Sequence, residues 1–390
     1  MTQKKTRNSS IEALKLIGIC SIVVSHVVYT LEKGSPFVSD NGYVIDLTRA
    51  TDNIQYLIAS MLRYGGEFGN TIFFICSAWF LLGRVKGVDK KKVLYMFADV
   101  WTISVLILAI VLVRNGGRLH RTLILQSLFP TTSENNWYIT CYLIFYIIHP
   151  VLNKAIAGLK QQTLLRLNIL AIWLYLIIAF ACRASMHAYG IGTQFFSSRL
   201  VMWTAVYFML AYVKFYANDF FGRRSVNTGL IAFGFIGNCG LIILTNILGL
   251  KFGRFSDALQ IWIVQYNLFL IISAIGLHGI ARNISFENKV INYVSKLSLF
   301  IYIIHENRLL RVLYRPLMLQ YVYARFGYEH LIFWIIVLAA IVFVFALICS
   351  IVYAETIHKL TMRVCDWVYP YLVAVWMKFE TKVIGSSSET

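Results

Sequence analysis

Charge is what this chain has least of. Only 14% of its 390 residues are Asp, Glu, Lys or Arg, where an ordinary soluble domain carries about 25%. Acidic residues are the scarcer sign, 18 against 36 basic ones. Proline occurs five times, at 36, 130, 150, 316 and 370, and each is expected in a loop or near the end of a segment. The seven cysteines stand singly, mostly inside apolar runs, with no Cys-x-x-Cys spacing. That excludes a disulfide framework and a zinc site, and leaves small polarizable packing residues. No metal is expected.

What is present is apolar. Hydrophobic residues make up 58% of the chain and aromatics 15%. A soluble protein of that composition would expose large apolar patches, so the expected class is an all-α polytopic membrane protein. The basic residues punctuate the apolar runs instead of forming a stripe, which excludes nucleic acid as a partner. A membrane span needs roughly 17–25 mostly apolar residues. Ten segments are read as spans of a single bundle: 11–31, 68–83, 93–113, 137–153, 164–182, 198–216, 228–248, 259–280, 293–305 and 332–353. The stretch 54–65 and the arginine-rich 306–325 read as interfacial or re-entrant segments. Residues 1–354 then form the membrane domain, 355–384 a cytoplasmic amphipathic helix lying on the membrane, and 385–390 a disordered tail.

Lys4, Lys5 and Arg7 precede the first apolar run, and no small-residue cleavage site follows, so the first span is expected to stay uncleaved. Ten spans put both termini on one side. That side holds 22 Lys and Arg against 14 on the other, which makes both termini cytoplasmic by the positive-inside rule. The far side has only Lys33 and Lys251 against 12 arginines, among them Arg63 and Arg308. Arginine presents a planar fork that suits carboxylates, phosphates and polar ligands, so the outer face is read as one that holds an anionic or oxygen-rich partner.

Ionisable residues inside a span are costly and are functional candidates by default. In the first span, Glu12, Lys15 and His26 share one face. Eleven residues at 100° each bring Lys15 and His26 to within about 20° of each other, and at 1.5 Å per residue they lie roughly 16 Å apart. One stripe therefore has a cation near the cytoplasmic boundary and an imidazole in the outer half. His305 and Glu306 fall where the ninth span meets the outer surface, and a carboxylate on an imidazole would fix its tautomer. Asp99, inside the third span, needs a partner, and Lys15 is the expected one.

Four phrases, in order, resemble the acyltransferase-3 family of integral membrane acyltransferases. The first is Ile11-Glu12-Ala13-Leu14-Lys15 with ten residues to His26. The second, Gly69-Asn70-Thr71-Ile72-Phe73-Phe74-Ile75-Cys76-Ser77-Ala78, has Ala78 where that family usually has Gly. The others are Asn136-Trp137-Tyr138 through His149-Pro150, and Ser298 through Tyr302, His305, Glu306 and Asn307. Lys15 replaces the commoner Arg, and the family's arginine pair near the second-to-third span junction appears only loosely, as Arg84, Lys86 and Lys90-Lys91-Lys92.

The resemblance implies acyl transfer, usually of acetyl, from cytoplasmic acyl-coenzyme A to an extracytoplasmic sugar hydroxyl. Acetyl-CoA is then the donor, and a surface polysaccharide or lipid-linked oligosaccharide the acceptor, in a bacterial plasma membrane. His26 would carry the chemistry, as general base or as transient acyl carrier, with His305 and Glu306 beside it. Lys15, Arg84, Lys90, Lys91 and Lys92 would hold the donor phosphates. Trp137, Tyr138, Ser77, Arg308 and Arg63 would flank the acceptor. The alternative from another class is a transporter or flippase of a lipid-linked glycan, which inverted repeats would betray, and the sequence has none.

Overall fold

Asn8 starts the first helix. Its Oδ1 accepts the Ser10 amide at 3.1 Å, an N-cap that satisfies one of the orphan donors of the first turn. Helix α1 (Ser9–Leu31) then runs without a proline and carries Glu12, Lys15 and His26 among its ionisable residues. The computed structural model describes residues 8–32, 35, 45–84, 87–132, 136–173, 199–252, 267–327 and 329–384. After α1 come α2 (Ile54–Arg63), α3 (Gly65–Leu81), α4 (Lys90–Arg114), α5 (Arg121–Leu128), α6 (Trp137–Ala157) and α7 (Gln161–Ile172). They are followed by α8 (Arg199–Tyr216), α9 (Arg224–Phe252), α10 (Leu268–Asn283), α11 (Lys289–Lys296) and α12 (Ser298–His305). The last are α13 (Arg315–Phe326), α14 (Leu331–Glu355) and α15 (Ile357–Ile384). Among the described residues there is no β-strand, only an isolated bridge between Glu32 and Ile45.

Among the described residues, five helical stretches are long and apolar enough to cross a membrane: α1, α4, α6, the Arg224–Leu244 part of α9, and α14. Two shorter apolar helices, Leu200–Tyr216 and Leu268–Asn283, accompany them. Parts of the expected spans 164–182 and 259–280, and the 385–390 tail, lie outside the described residues. The expected span 293–305 is not one helix. The Leu297 amide bonds the Val294 carbonyl, three residues back instead of four. That tight turn separates α11 from α12.

The prolines also depart from expectation. Pro150 sits inside α6, and the helix continues to Ala157. Proline has no amide to give the carbonyl four residues back, which here belongs to Tyr146. His149 Nδ1 lies 2.6 Å from that oxygen and donates in place of the missing amide. Pro370 likewise falls within α15.

Helix α1 is central, touching α3, α10, α11, α12 and α14. Its closest neighbour is α3, and glycine makes the approach possible. A Cβ at Gly69 would strike the Gly18 carbonyl and Ile22, and one at Gly66 would stand 2.7 Å from Ser25 Oγ. Such small-residue contacts are how helices pack where lipid offers no hydrophobic drive. Helix α9 uses the same device, since Gly234 and Gly237 abut Phe269 and Ser273 of α10 while Gly229 and Gly240 face open space. Asp99 of α4 is buried, and its partner is not Lys15. Its Oδ1 bonds Tyr353 Oη and His358 Nδ1, each at 2.8 Å, tying α4 to α14 and α15. Lys15 instead lies over Glu12, 3.4 Å from both carboxylate oxygens, because a residue three positions back on a helix is its nearest ionic partner.

Candidate active site

The packing of α1 against α12 brings together the two histidines that the sequence placed at the outer ends of separate spans. His26 Nδ1 lies 3.1 Å from His305 Nε2, with the rings stacked at 5.3 Å between centroids. Glu306, the first residue past α12, turns its Oε2 to within 2.5 Å of the same His26 nitrogen. The carboxylate therefore serves His26 and not its sequence neighbour His305.

The proton positions follow from the partners. His305 Nδ1 is 2.8 Å from the Ile301 carbonyl, which only accepts, so that nitrogen carries the hydrogen. Its Nε2 is then an acceptor aimed at His26. With an acceptor imine and a carboxylate both on His26 Nδ1, that nitrogen is the donor. Neutral His26 is left with a bare lone pair on Nε2. Of the three side chains, His26 keeps 21% of its surface accessible, whereas Glu306 keeps 4%. His305 is buried as well. Of the three, His26 is the one left partly accessible.

Two arginines complete the cluster. Arg311 Nη1 is 2.7 Å from Glu306 Oε1 and Arg315 Nη1 is 4.0 Å from it. Arg315, itself buried, also donates to the His305 carbonyl. Arg311 comes from the segment after α12, where Leu310–Tyr314 is wound as a π-turn, and Arg315 is the first residue of α13. One buried carboxylate is thus balanced by two guanidiniums, and the pocket around His26 carries positive potential. The three ligand atoms of His26, His305 and Glu306 lie within 4.8 Å of one another, a spacing that can hold a metal. The donor set favours a proton instead. Arg311 already occupies one carboxylate oxygen, and a divalent ion would sit against two fixed positive charges.

The remaining sequence candidates fall into three groups. Arg63 of α2 lies beside the C-terminal end of α1, its Nε 2.7 Å from Glu32 and its guanidinium 4.3 Å over the Tyr29 ring. Arg308 is half-buried in the turn that follows α12. Trp137 and Tyr138 belong to an aromatic wall. Tyr138 stands 5.0 Å from Trp203 and 5.5 Å from Tyr302, and Tyr302 is 5.7 Å from His305.

Ser77 lies apart, beside Tyr142. Its neighbour Cys76 feels the charge of Lys15, so this pair sits near the Lys15 end of the stripe. Lys92 rests 4.9 Å over the Tyr146 ring and senses Arg84 and Lys15. Lys91 pairs with Asp366 of α15 at 2.8 Å, and Lys90 is exposed at the start of α4.

Arg311 and Arg315 were visible only as members of an arginine-rich run. They lie five and nine residues past Glu306 and four apart, so that on a helix they share a face, and that spacing was the signal that could have singled them out.

A helical protein with membrane-length apolar segments and a buried imidazole–carboxylate pair defines a class: a membrane enzyme whose site is built inside the helix bundle. The sequence model of the acyltransferase-3 family, described as an acyltransferase domain, matches residues 8–354. The chain belongs to that family. No curated protein and no solved structure matches it.

Proposed function

We propose that the protein moves an acyl group, acetyl in the simplest case, from cytoplasmic acyl-CoA to a hydroxyl of an extracytoplasmic polysaccharide or its lipid-linked precursor. The single observation that supports this best is the His26–Glu306 contact at 2.5 Å, which leaves His26 Nε2 free to act as a base. The setting we propose is a ten-span bundle in a bacterial plasma membrane with both termini cytoplasmic. The excess of Lys and Arg on the amino-terminal side supports that orientation.

The reaction balances without any further reagent. His26 Nε2 takes the proton of the acceptor hydroxyl as its oxygen attacks the thioester carbonyl. Glu306 offsets the charge that appears on the imidazolium. The tetrahedral oxyanion forms beside Arg311 and Arg315, whose fixed positive charge favours it in a site shielded from water. Collapse forms the ester, breaks the carbon–sulfur bond, and returns the proton from His26 to the departing thiolate as coenzyme A. The Tyr138–Tyr302 wall keeps bulk water from the thioester.

The test is proton NMR of ester-linked acetyl on the surface polysaccharide of cells carrying wild type, His26→Ala or a deletion, at matched membrane levels. Acetyl signals should appear with wild type and vanish in both variants while polymer yield holds. Loss of the polymer itself in the deletion, with acetyl absent throughout, would move the assignment to glycan export.

A further inference from the structure

At the end of the bundle away from His26, a cavity of about 620 Å³ opens where α3, α8 and α10 finish. Its walls include Trp79, Lys214, Asn218, Asp219, Arg282 and Asn283. That volume lies in the range of small-molecule sites, about 300–1,000 Å³. The end it occupies is the one where α1 begins, since Ser10 Oγ bonds the carbonyls of Ala281 and, at 2.7 Å, Ile284.

The cations in this cavity are anchored on neutral groups. Lys214 Nζ donates to the Trp79 carbonyl at 2.7 Å and the Leu82 carbonyl at 3.0 Å, which cap α3 and leave one ammonium hydrogen uncommitted. Arg282 Nη1 donates to Asn218 Oδ1 at 2.7 Å. Both charges flank the Trp79 indole, Lys214 at 5.3 Å and Arg282 at 4.6 Å from its centroid. Asn283 Nδ2, 2.6 Å from the Gly222 carbonyl, pins the one-turn helix Asn218–Gly222 that lines the cavity. Among the described residues no carboxylate balances either cation. The charges acting on Lys214 are those of Arg84 and Arg282, both positive. Asp219 is the one carboxylate in the wall.

The positive charge continues out of the cavity. Lys214 senses Arg84, and Lys92 senses Arg84, the carboxylate of nearby Asp89 and, after it, Lys15. Arg282, Lys214, Arg84, Lys92 and Lys15 thus form a track from the cavity to the foot of the α1 stripe that leads to His26. A ligand matched to such a track has a phosphorylated head, further anionic groups behind it, and a long neutral arm.

We infer that the cavity receives the nucleotide end of the acyl-CoA donor, with its ribose phosphate on Lys214 and Arg282 and its pyrophosphate passing Arg84 and Lys92. The inference rests on the acyltransferase reading above and adds the donor's binding site to it. The adenine would lie in the cavity against Trp79, with Asp219 able to accept from its amino group or a ribose hydroxyl. Phosphate recognition by a Lys–Arg pair also fits an anionic lipid headgroup, and the experiment separates the two.

The full chain is placed in nanodiscs of zwitterionic phosphatidylcholine. Binding of adenosine 3′,5′-bisphosphate and of coenzyme A is measured for wild type, Arg282→Gln and Trp79→Phe, with thermal unfolding as the check on folding. Arg282→Gln keeps a donor for Asn218, and Trp79→Phe keeps a ring in the wall. Binding of the bisphosphate should weaken about tenfold, equivalent to about 1.4 kcal/mol, in Arg282→Gln. The KM for acetyl-CoA should rise in parallel while kcat and the kinetics with S-acetyl-phosphopantetheine, which lacks the nucleotide, stay the same. Unchanged binding and KM in both variants would overturn this inference and leave the acyltransferase in place. A wild type that neither binds coenzyme A nor transfers acetyl from it would overturn both. If phosphatidylglycerol, but not the bisphosphate, stabilises wild type and fails to stabilise Arg282→Gln, the cavity is a lipid site and the inference falls.

Discussion

Glu306→Gln removes one negative charge from beside His26 and leaves the shape of the site nearly unchanged. The amide can still contact His26 Nδ1, now 2.5 Å from the carboxylate, but it cannot offset an imidazolium. The expected loss in kcat is about 10²–10⁴-fold, the usual worth of a general base, with KM for the donor little altered. Arg311 and Arg315 lose their common counter-charge in the same variant, so unfolding temperature has to be measured beside turnover. A catalytic defect accompanied by full loss of folded protein would make Glu306 a structural residue only. The guanidiniums also bear on whether a metal takes part. With Arg311 already 2.7 Å from Glu306, a chelator added to the purified enzyme should leave its rate unchanged. Loss of activity on chelation, restored by adding a divalent ion, would refute the proton-transfer account.

Helix α1 positions His26 through its glycine-mediated contact with α3, so packing and chemistry are coupled at this element. Gly69→Ala would push a methyl into the Gly18 backbone and Ile22. Overpacking of that kind costs about 1–3 kcal/mol, and the two helices can relieve it only by moving apart, which shifts Ser25 and His26 against α12. Thermal unfolding should fall and transfer with it. Gly240→Ala, whose Cβ would meet nothing, should be neutral or stabilising by about 0.5–1 kcal/mol, because alanine favours the helix. Equal behaviour of the two variants would dismiss the close approach as a determinant.

The same elements show what a sequence can and cannot reveal. The Lys15–His26 stripe was legible because a helix of fixed period maps spacing directly onto direction. The break at Leu297, the pairing of Glu306 with His26, and the arrival of Arg311 and Arg315 were not. Each depends on where a helix stops and how the chain turns afterwards, and no period carries through that turn. Asp99 was correctly read as needing a partner. The partners, Tyr353 and His358, lie more than 250 residues away, beyond the reach of any local pattern.

At the scale of the molecule, the proposed transfer needs donor and acceptor ends that open on opposite faces of the membrane, and the charges predict which is which. The Lys15, Arg84 and Lys92 cluster lies at one end of the bundle and the His26, Glu306 and Arg311 cluster towards the other. Acyl-CoA is made in the cytoplasm, so the first end should face inward, as the lysine-rich loops independently require. On that prediction Lys160, the N-cap of α7 just after α6 ends, falls at the inward end, and Arg118, in the turn after α4, at the outward end. Both are exposed, and the described native cysteines include two buried ones, Cys76 and Cys365, and one exposed on α1, Cys20. Single substitutions Arg118→Cys and Lys160→Cys, made where Cys20 is replaced by Ala, can be probed with a membrane-impermeant maleimide. Arg118→Cys should label in intact cells and Lys160→Cys only after the membrane is opened. The reverse pattern would put the cationic track outside, out of reach of its donor, and the proposed direction of transfer would have to be abandoned. Labelling of both positions in intact cells would show that α4 and α6 do not cross in the order the ten-span arrangement demands.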